Sequence, residues 1–285
     1  MDYRYKNCVD VITLPSGFEE EDRGVKGCCT PCVVLASDTD SESWKNDILG
    51  VHVKLSQVSD SVTFIMEDCE GTILTNLGEV GVYPNDSLAN GFIYDWKQIL
   101  QTYGIGKYKV KVEYSVSGIT GGFTWGMYEL KNYSIENAAG TVRIWSEFNS
   151  YFQPLNIDFT NSNHKDSIRF NGFFGNREPK TDIVNLITKG RKVEKATREN
   201  LNTYTLSSDP VTICVTRRVL DFHLLNEDKC LVTDHNKYNH NYLLLDTPVV
   251  LEEPSEVEYL DADRRAKLTI KFGDRIKNQK SFYND

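Results

Sequence analysis

Between Lys107 and Tyr114 the chain changes character at every residue. Tyr108, Val110, Val112 and Tyr114 are apolar or aromatic, while Lys107, Lys109, Lys111 and Glu113 are charged. Side chains of a strand point alternately to its two faces, so such a segment buries one face and wets the other within a sheet. Lys267–Phe272 repeats the pattern with Leu268, Ile270 and Phe272 inward. Val51–Leu55, Val62–Met66 and Thr141–Phe148 read as further strands. The expected class is mainly β, with β-sandwich-like or β-barrel-like domains, one or two packed helices and extended arms. A chain of 285 residues is long for one small core. Two domains are expected, residues 1–135 and 136–285, because Glu136-Asn137-Ala138-Ala139-Gly140 interrupts the strand pattern. The alternative boundary is Asn149–Asn156.

One helix is expected between Gly91 and Gly104. Phe92, Ile93, Trp96, Ile99, Leu100 and Tyr103 fall there at helical spacing and form one stripe, suited to covering a sheet. Gly104 would end it in a left-handed conformation. Ser208-Asp209-Pro210 offers a second start, a cap followed by proline at the first helical position. Val211–Leu225 then reads as helix, with strand as the alternative, and Cys230–Thr233 as a short strand. Gly118–Gly126, with Phe123 and Trp125 among its glycines, reads as an aromatic hairpin tip. Asn161–Asp166, Gly172–Lys180 and Asp234–Asn241 read as polar loops. The stretch up to about Asp47, with the acidic run Glu19–Asp22, reads as a long arm with little core of its own.

The formal net charge is −9, and residues 1–70 hold 14 Asp or Glu against 6 Lys or Arg. A chain without a broad basic field is poorly built to grip phosphate backbones, so no nucleic-acid specificity is expected. The amino terminus is polar, and no apolar run approaches bilayer length, so neither secretion nor membrane insertion is expected. Lys189–Arg198 is the one basic run, with Lys189, Arg191, Lys192, Lys195 and Arg198 against Glu194. It reads as a solvated face or as a dock for an acidic surface, such as the acidic arm of a neighbouring copy.

No chemistry-bearing motif is complete. Cys29 and Cys32, within Cys28-Cys29-Thr30-Pro31-Cys32, have zinc-ligand spacing but lack a second pair. The 7 cysteines are expected as reduced structural thiols. His235 and His240 flank an Asn-rich loop without a metalloprotease-like glutamate. His52 sits on an alternating strand, His164 in a polar loop, and His223 on the Val211–Leu225 segment as a partly buried side chain. No nucleotide-binding glycine loop or nucleophile elbow is present. The expectation is a non-enzymatic protein with no catalytic, cofactor-binding or metal-binding residue.

Two stretches carry a resemblance. One runs from Gly190-Arg191-Lys192-Val193 through Thr197-Arg198-Glu199-Asn200 to Tyr204-Thr205-Leu206. The other is Leu231-Val232-Thr233-Asp234-His235-Asn236, with Tyr242 and Asp246-Thr247-Pro248-Val249. Together they resemble virion structural proteins of tailed phages infecting Bacteroidota, crAss-like phages included, and within these the tail or neck ring components. The resemblance implies assembly in the host cytoplasm and a place in the virion. It also implies partners that are copies of the chain in a ring and other tail or neck proteins, without catalytic residues or a cofactor. The competing expectation is a carbohydrate- or surface-binding β-sandwich, with Trp125 and Phe123 stacking on a sugar face.

Overall fold

The computed structural model of the chain describes residues 32–54, 61–68, 70–74, 81–116, 119–187, 193–236, 245–253, 255–260, 265–274 and 278–280. Of residues 81–82, 116, 119, 176–187, 193–201, 274 and 278–280 it describes the backbone alone. The amino-terminal arm to residue 31, with Cys28 and Cys29, lies outside the described residues, as do residues 188–192 and His240.

The protein is mainly β, as expected. Its amino-terminal half holds β1 (Cys32–Ala36), β2 (Ile48–Lys54), β3 (Ser61–Asp68), β4 (Gly81–Tyr83) and β5 (Asp86–Asp95), then α1 (Trp96–Tyr103), β6 (Gly106–Val116) and β7 (Ile119–Asn132). One sheet runs β1-β7-β6-β3 and the other β2-β5-β4. Their inner faces share a core in which Tyr108, Val110, Val112 and Tyr114 of β6 join Val51, Phe92, Trp96 and Ile99. The alternation read between Lys107 and Tyr114 is thus the inner face of a sandwich.

Helix α1 is shorter than its apolar stripe implied. Phe92 and Ile93 belong to β5, and the helix starts at Trp96, with the Asp95 carboxylate accepting from the Lys97 amide at 2.9 Å. Phe92, Tyr94 and Trp96 also satisfy a period of two, so strand and helix patterns overlap there. Gly104 takes φ 87° and ψ −167°, a region open to glycine, rather than the left-handed helical one.

The glycine-rich hairpin tip is corrected. Phe123 and Trp125 lie within β7, and Trp125 is buried. Gly121 and Gly126 serve close packing: an added Cβ would come 2.6 Å from the Tyr114 ring and 2.8 Å from the Tyr128 hydroxyl. Tyrosines lying over strand glycines restore the packing that glycine lacks.

After α2 (Ile135–Ala138) come β8 (Thr141–Phe148), the short β9 (Tyr151–Phe152) and β10 (Ile157–Asp158), then β11 (His164–Ile187), β12 (Val193–Ser208) and β13 (Val211–Thr212). α3 (Ile213–Arg217) continues into a π-turn, Arg218–His223. The chain ends with β14 (Lys229–Asp234), β15 (Thr247–Leu251), β16 (Glu256–Leu260), β17 (Arg265–Asp274) and β18 (Asn278–Lys280). Pairing in the order β17-β15-β14-β8-β11-β12 closes on itself through β12–β17, giving a six-stranded barrel. Val142, Ile144, Phe170, Leu206, Leu268, Ile270 and Phe272 fill it.

Three further expectations are corrected. Only Asn161–Asn163 forms a loop, with Asn161 and Asn163 at positive φ, and Asp166 lies buried in β11. Gly172–Lys180 is also part of β11, a strand whose polar sequence hides its period. Ser208-Asp209-Pro210 starts no helix. Thr212 is the cap instead, its Oγ1 accepting from the Val215 amide at 3.4 Å. The helix reading of Val211–Leu225 holds for Ile213–His223.

Candidate functional site

Strand β2 is buried on both faces, which is unusual for the edge of a small antiparallel sheet. Leu49, Val51 and Val53 face the sandwich core. The alternate residues face β11, whose segment His164–Asn171 pairs on one side with β8 and meets β2 on the other. Backbone ladders do not join β2 to β11. The Ile48 amide donates to Ser167 Oγ at 2.8 Å, Ser167 Oγ donates back to the Ile48 carbonyl, and the Gly50 amide donates to Asp166 Oδ1 at 2.9 Å. Gly50 is required by contact: a Cβ there would lie 2.4 Å from the Lys165 carbonyl oxygen. Gly50→Ala should wedge the halves apart and cost about 1–3 kcal/mol, as overpacking does. Chemical denaturation of parent and variant checks this, and equal midpoints would contradict it.

Two acids organise this junction. Asp47, just before β2, accepts from Arg143 Nε at 3.0 Å, from Arg169 Nε at 2.8 Å and Nη2 at 3.0 Å, and from the Leu35 amide at 2.8 Å. Arg143 also reaches Asp246 Oδ1 at 3.2 Å and the Asn46 carbonyl at 2.8 Å. Burial works to raise the pKa of Asp47, but Arg169 and then Arg143 outweigh it and hold the carboxyl below its usual range. Asp166 is gripped by Arg218, whose Nε donates to Oδ2 at 2.8 Å and whose Nη2 donates to Oδ1. Its pKa too is held down, by Arg218 and His223 against the opposing effect of burial.

Below these ions lies a ring cluster drawn from both halves. His52 stacks on Phe222 with centroids 5.0 Å apart and meets Trp125, Phe159 and His164 edge-on at 5.5, 5.8 and 5.4 Å. Tyr83, buried and kept protonated, shares a hydrogen bond with His164 Nδ1 at 2.9 Å. The π-turn, whose Leu224 amide donates to the Val219 carbonyl at 2.9 Å, delivers Arg218, Phe222 and His223 into the cluster.

Ser146, His223 and Asp166 form an arrangement that invites a catalytic reading. Ser146 Oγ lies 2.9 Å from His223 Nδ1, and His223 Nε2 lies 3.2 Å from Asp166 Oδ2, though outside hydrogen-bonding geometry. A serine nucleophile needs access and an oxyanion site. Ser146, His223 and Asp166 are each 0% exposed, and Asp166 already serves Arg218. The neighbouring cavity of about 340 Å³ is lined by His223, Cys230, Val249 and Phe272, but Ser146 does not reach it. The geometry positions the π-turn, with the Ser146 side chain closed off from solvent.

The residues singled out by sequence are dispersed. His52, His164 and His223 do converge, all fully buried, whereas a polar loop was expected for His164 and partial burial for His223. His235 packs with Trp44 and Tyr133, and burial pushes it down to about 3. Cys32 and Cys214 are half-buried and Cys230 is buried. Among the described residues no group of three His, Cys, Asp or Glu is arranged to hold a metal ion, and no helix is long and apolar enough to cross a membrane. Sequence reading missed Asp47, Arg143, Asp166, Arg169 and Arg218. Their one visible signal is a charge inside an apolar strand, as with Arg143 in Thr141–Phe148.

No protein-family model matches the sequence. At a stringent threshold, no curated protein matches it either.

Proposed function

We propose that the chain is a non-enzymatic virion structural protein, a subunit of a homo-oligomeric ring in the tail or neck of a tailed phage. The observation that carries this reading is the β11–β12 hairpin. β11 pairs with β8 only through Asn171, and β12 pairs with β17 only over Thr203–Ser207. Beyond the barrel the two strands pair with each other as far as Ile187↔Val193, and among the described residues only β18 joins them, at Arg198–Asn200. Residues 176–187 at about 3.3 Å each give a reach of about 40 Å. A two-stranded ribbon alone is marginal in water, so an arm of this length is built to lie on another sheet. In a ring that surface belongs to the next copy, a head-to-tail contact that closes by rotation.

Negative-stain imaging and sedimentation of the full chain test the reading. Closed rings of one diameter are expected, and a monomer at every concentration would overturn it. The sugar-stacking alternative loses its surface aromatic, since Trp125 is buried in β7.

Charge supplies a second prediction. Residues 1–70 carry most of the net negative charge, and Lys189–Arg198 concentrates positive charge on the hairpin sequence. Exposed pairs contribute only about 0–1 kcal/mol each and are screened by salt, so charge sets register and encounter rate. Reversing Arg191, Lys192 and Lys195 to Glu should slow assembly at low ionic strength and matter less at high. Parent-like assembly of the triple variant at low salt would sink the docking idea.

A further inference from the structure

Three histidines occupy the contact between sandwich and barrel, and they come from different elements. His52 is on β2, His164 on β11 and His223 on the π-turn. Each is at most 2% exposed. Among the described residues neither ring nitrogen of His52 has a hydrogen-bond partner, and His164 Nε2 has none. Both rings are held by stacking and edge contacts with Phe222, Phe159 and Trp125, which require no charge.

The charged groups facing these rings are few. Asp166 comes from β11, Arg218 from the π-turn, and Arg143 of β8 acts on His223 from further off. Tyr83 from β4 faces His164 with a neutral hydroxyl. The one carboxylate is already committed to Arg218 and to the Gly50 amide. A proton arriving on His52 would therefore sit on a buried ring without an acceptor, with its centroid 5.4 Å from that of His164. A second proton, on His164, would make both of its ring nitrogens donors and add a like charge across the junction.

From this geometry we propose that the junction is an acid-opened latch, in which His52 and His164 hold sandwich and barrel together only while both rings are uncharged. The halves have separate cores, the first drawn from Val34 to Leu130 and the second from Val142 to Phe272, so parting them need not melt either. They are joined by the small ring cluster of Tyr83, Phe148, Phe159 and Phe222, by the two buried acids, by Ile48 with Ser167, and by Trp44 and Tyr133 packed on His235.

The sign follows from linkage. Burial lowers both histidines, His164 to about 4 and His52 well below its ordinary value, with Asp166 opposing and Arg218 reinforcing. Once the junction opens, each ring returns to about 6.5. The open form then binds more protons than the closed one. The closed form is fully favoured above about 6.5 and loses that advantage as pH falls toward about 4.

Hydrogen exchange by mass spectrometry on the full chain tests the latch, with rates corrected for the intrinsic effect of pH. Peptides covering Ile48–Lys54 report the junction, because the Ile48 and Gly50 amides donate across it. Peptides covering β6 and β17 report the two cores. Between pH 7 and pH 4.5 protection of the β2 peptide should fall at least about tenfold, the factor for one pKa unit, while both cores stay protected. His52→Phe keeps an aromatic ring at that position but cannot take a proton, and should lose clearly less protection over the same range. Unchanged β2 protection, simultaneous loss in both cores, or identical behaviour of parent and variant would overturn the proposal. Exchange at the imidazole Cε1 position in the parent is independent of the variant's folding. His52 and His164 should remain neutral at pH 5.5, and titration of either near 6.5 in the folded chain would also overturn it.

Discussion

Asp47→Ala is expected to destabilise the protein by about 3–5 kcal/mol, the cost of removing one partner from a buried ionic cluster. The substitution strands two guanidinium groups at once. Among the described residues Arg169 keeps only Thr141 Oγ1 at 3.0 Å, and Arg143 keeps Asp246 and the Asn46 carbonyl. The Leu35 amide loses its acceptor as well. Against a total stability of order 5–15 kcal/mol, a loss of that size is a large share. Urea unfolding should show the midpoint falling steeply. Asp246→Ala, at a carboxylate 20% exposed, should cost much less. The pH dependence carries its own sign. Because the folded pKa of Asp47 is depressed, its contribution is complete above the unfolded value of about 3.9 and is lost as pH falls below it. A change within about 0.5 kcal/mol, the range of ordinary surface substitutions, would show that Asp47 does not hold the two halves together.

Shortening the β11–β12 hairpin should abolish self-assembly and leave the monomer folded. Removing residues 184–197 and joining Ile183 to Arg198 through a two-residue turn keeps their register and preserves the pairing of β18 with Arg198–Asn200. It removes no barrel residue, since the barrel pairings of β11 and β12 end at Asn171 and Thr203. The variant should unfold at a denaturant midpoint close to the parent's and sediment as a single chain. If the arm supplies the contact between copies, the loss is all-or-none, because ring closure requires every interface. Assembly at the parent's level would remove the hairpin from the account.

Much of the fold was legible because one period governs it. Tyr108–Tyr114 and Leu268–Phe272 alternate against charged neighbours, and both became inner faces of closed cores. Legibility failed where a second constraint overrode local propensity. Glycines normally weaken strands, yet β7 carries Gly121 and Gly126 because tyrosine rings occupy the space a Cβ would take. β11 shows its apolar period only at Ile168, Phe170 and Phe174, and the buried ions beside them and the hairpin beyond keep the rest of its sequence polar. The candidate site was almost invisible for a different reason. Asp47 meets Arg143 and Arg169 across separations of 96 and 122 residues, and charged side chains within strands look like wet faces until their partners are known. His52 gave a faint signal, a titratable residue among Val51 and Val53, but only the arrival of Phe222 and His164 explains its burial.

The central claim is that this chain assembles with copies of itself, and the molar mass of the purified full chain in solution tests it most directly. Light scattering coupled to size exclusion, over rising protein concentration, should give a discrete multiple of the 32.5 kDa chain that plateaus at one value. A plateau marks a closed ring, whereas open head-to-tail growth would keep climbing. A mass that stays at one chain over the whole range would contradict the account.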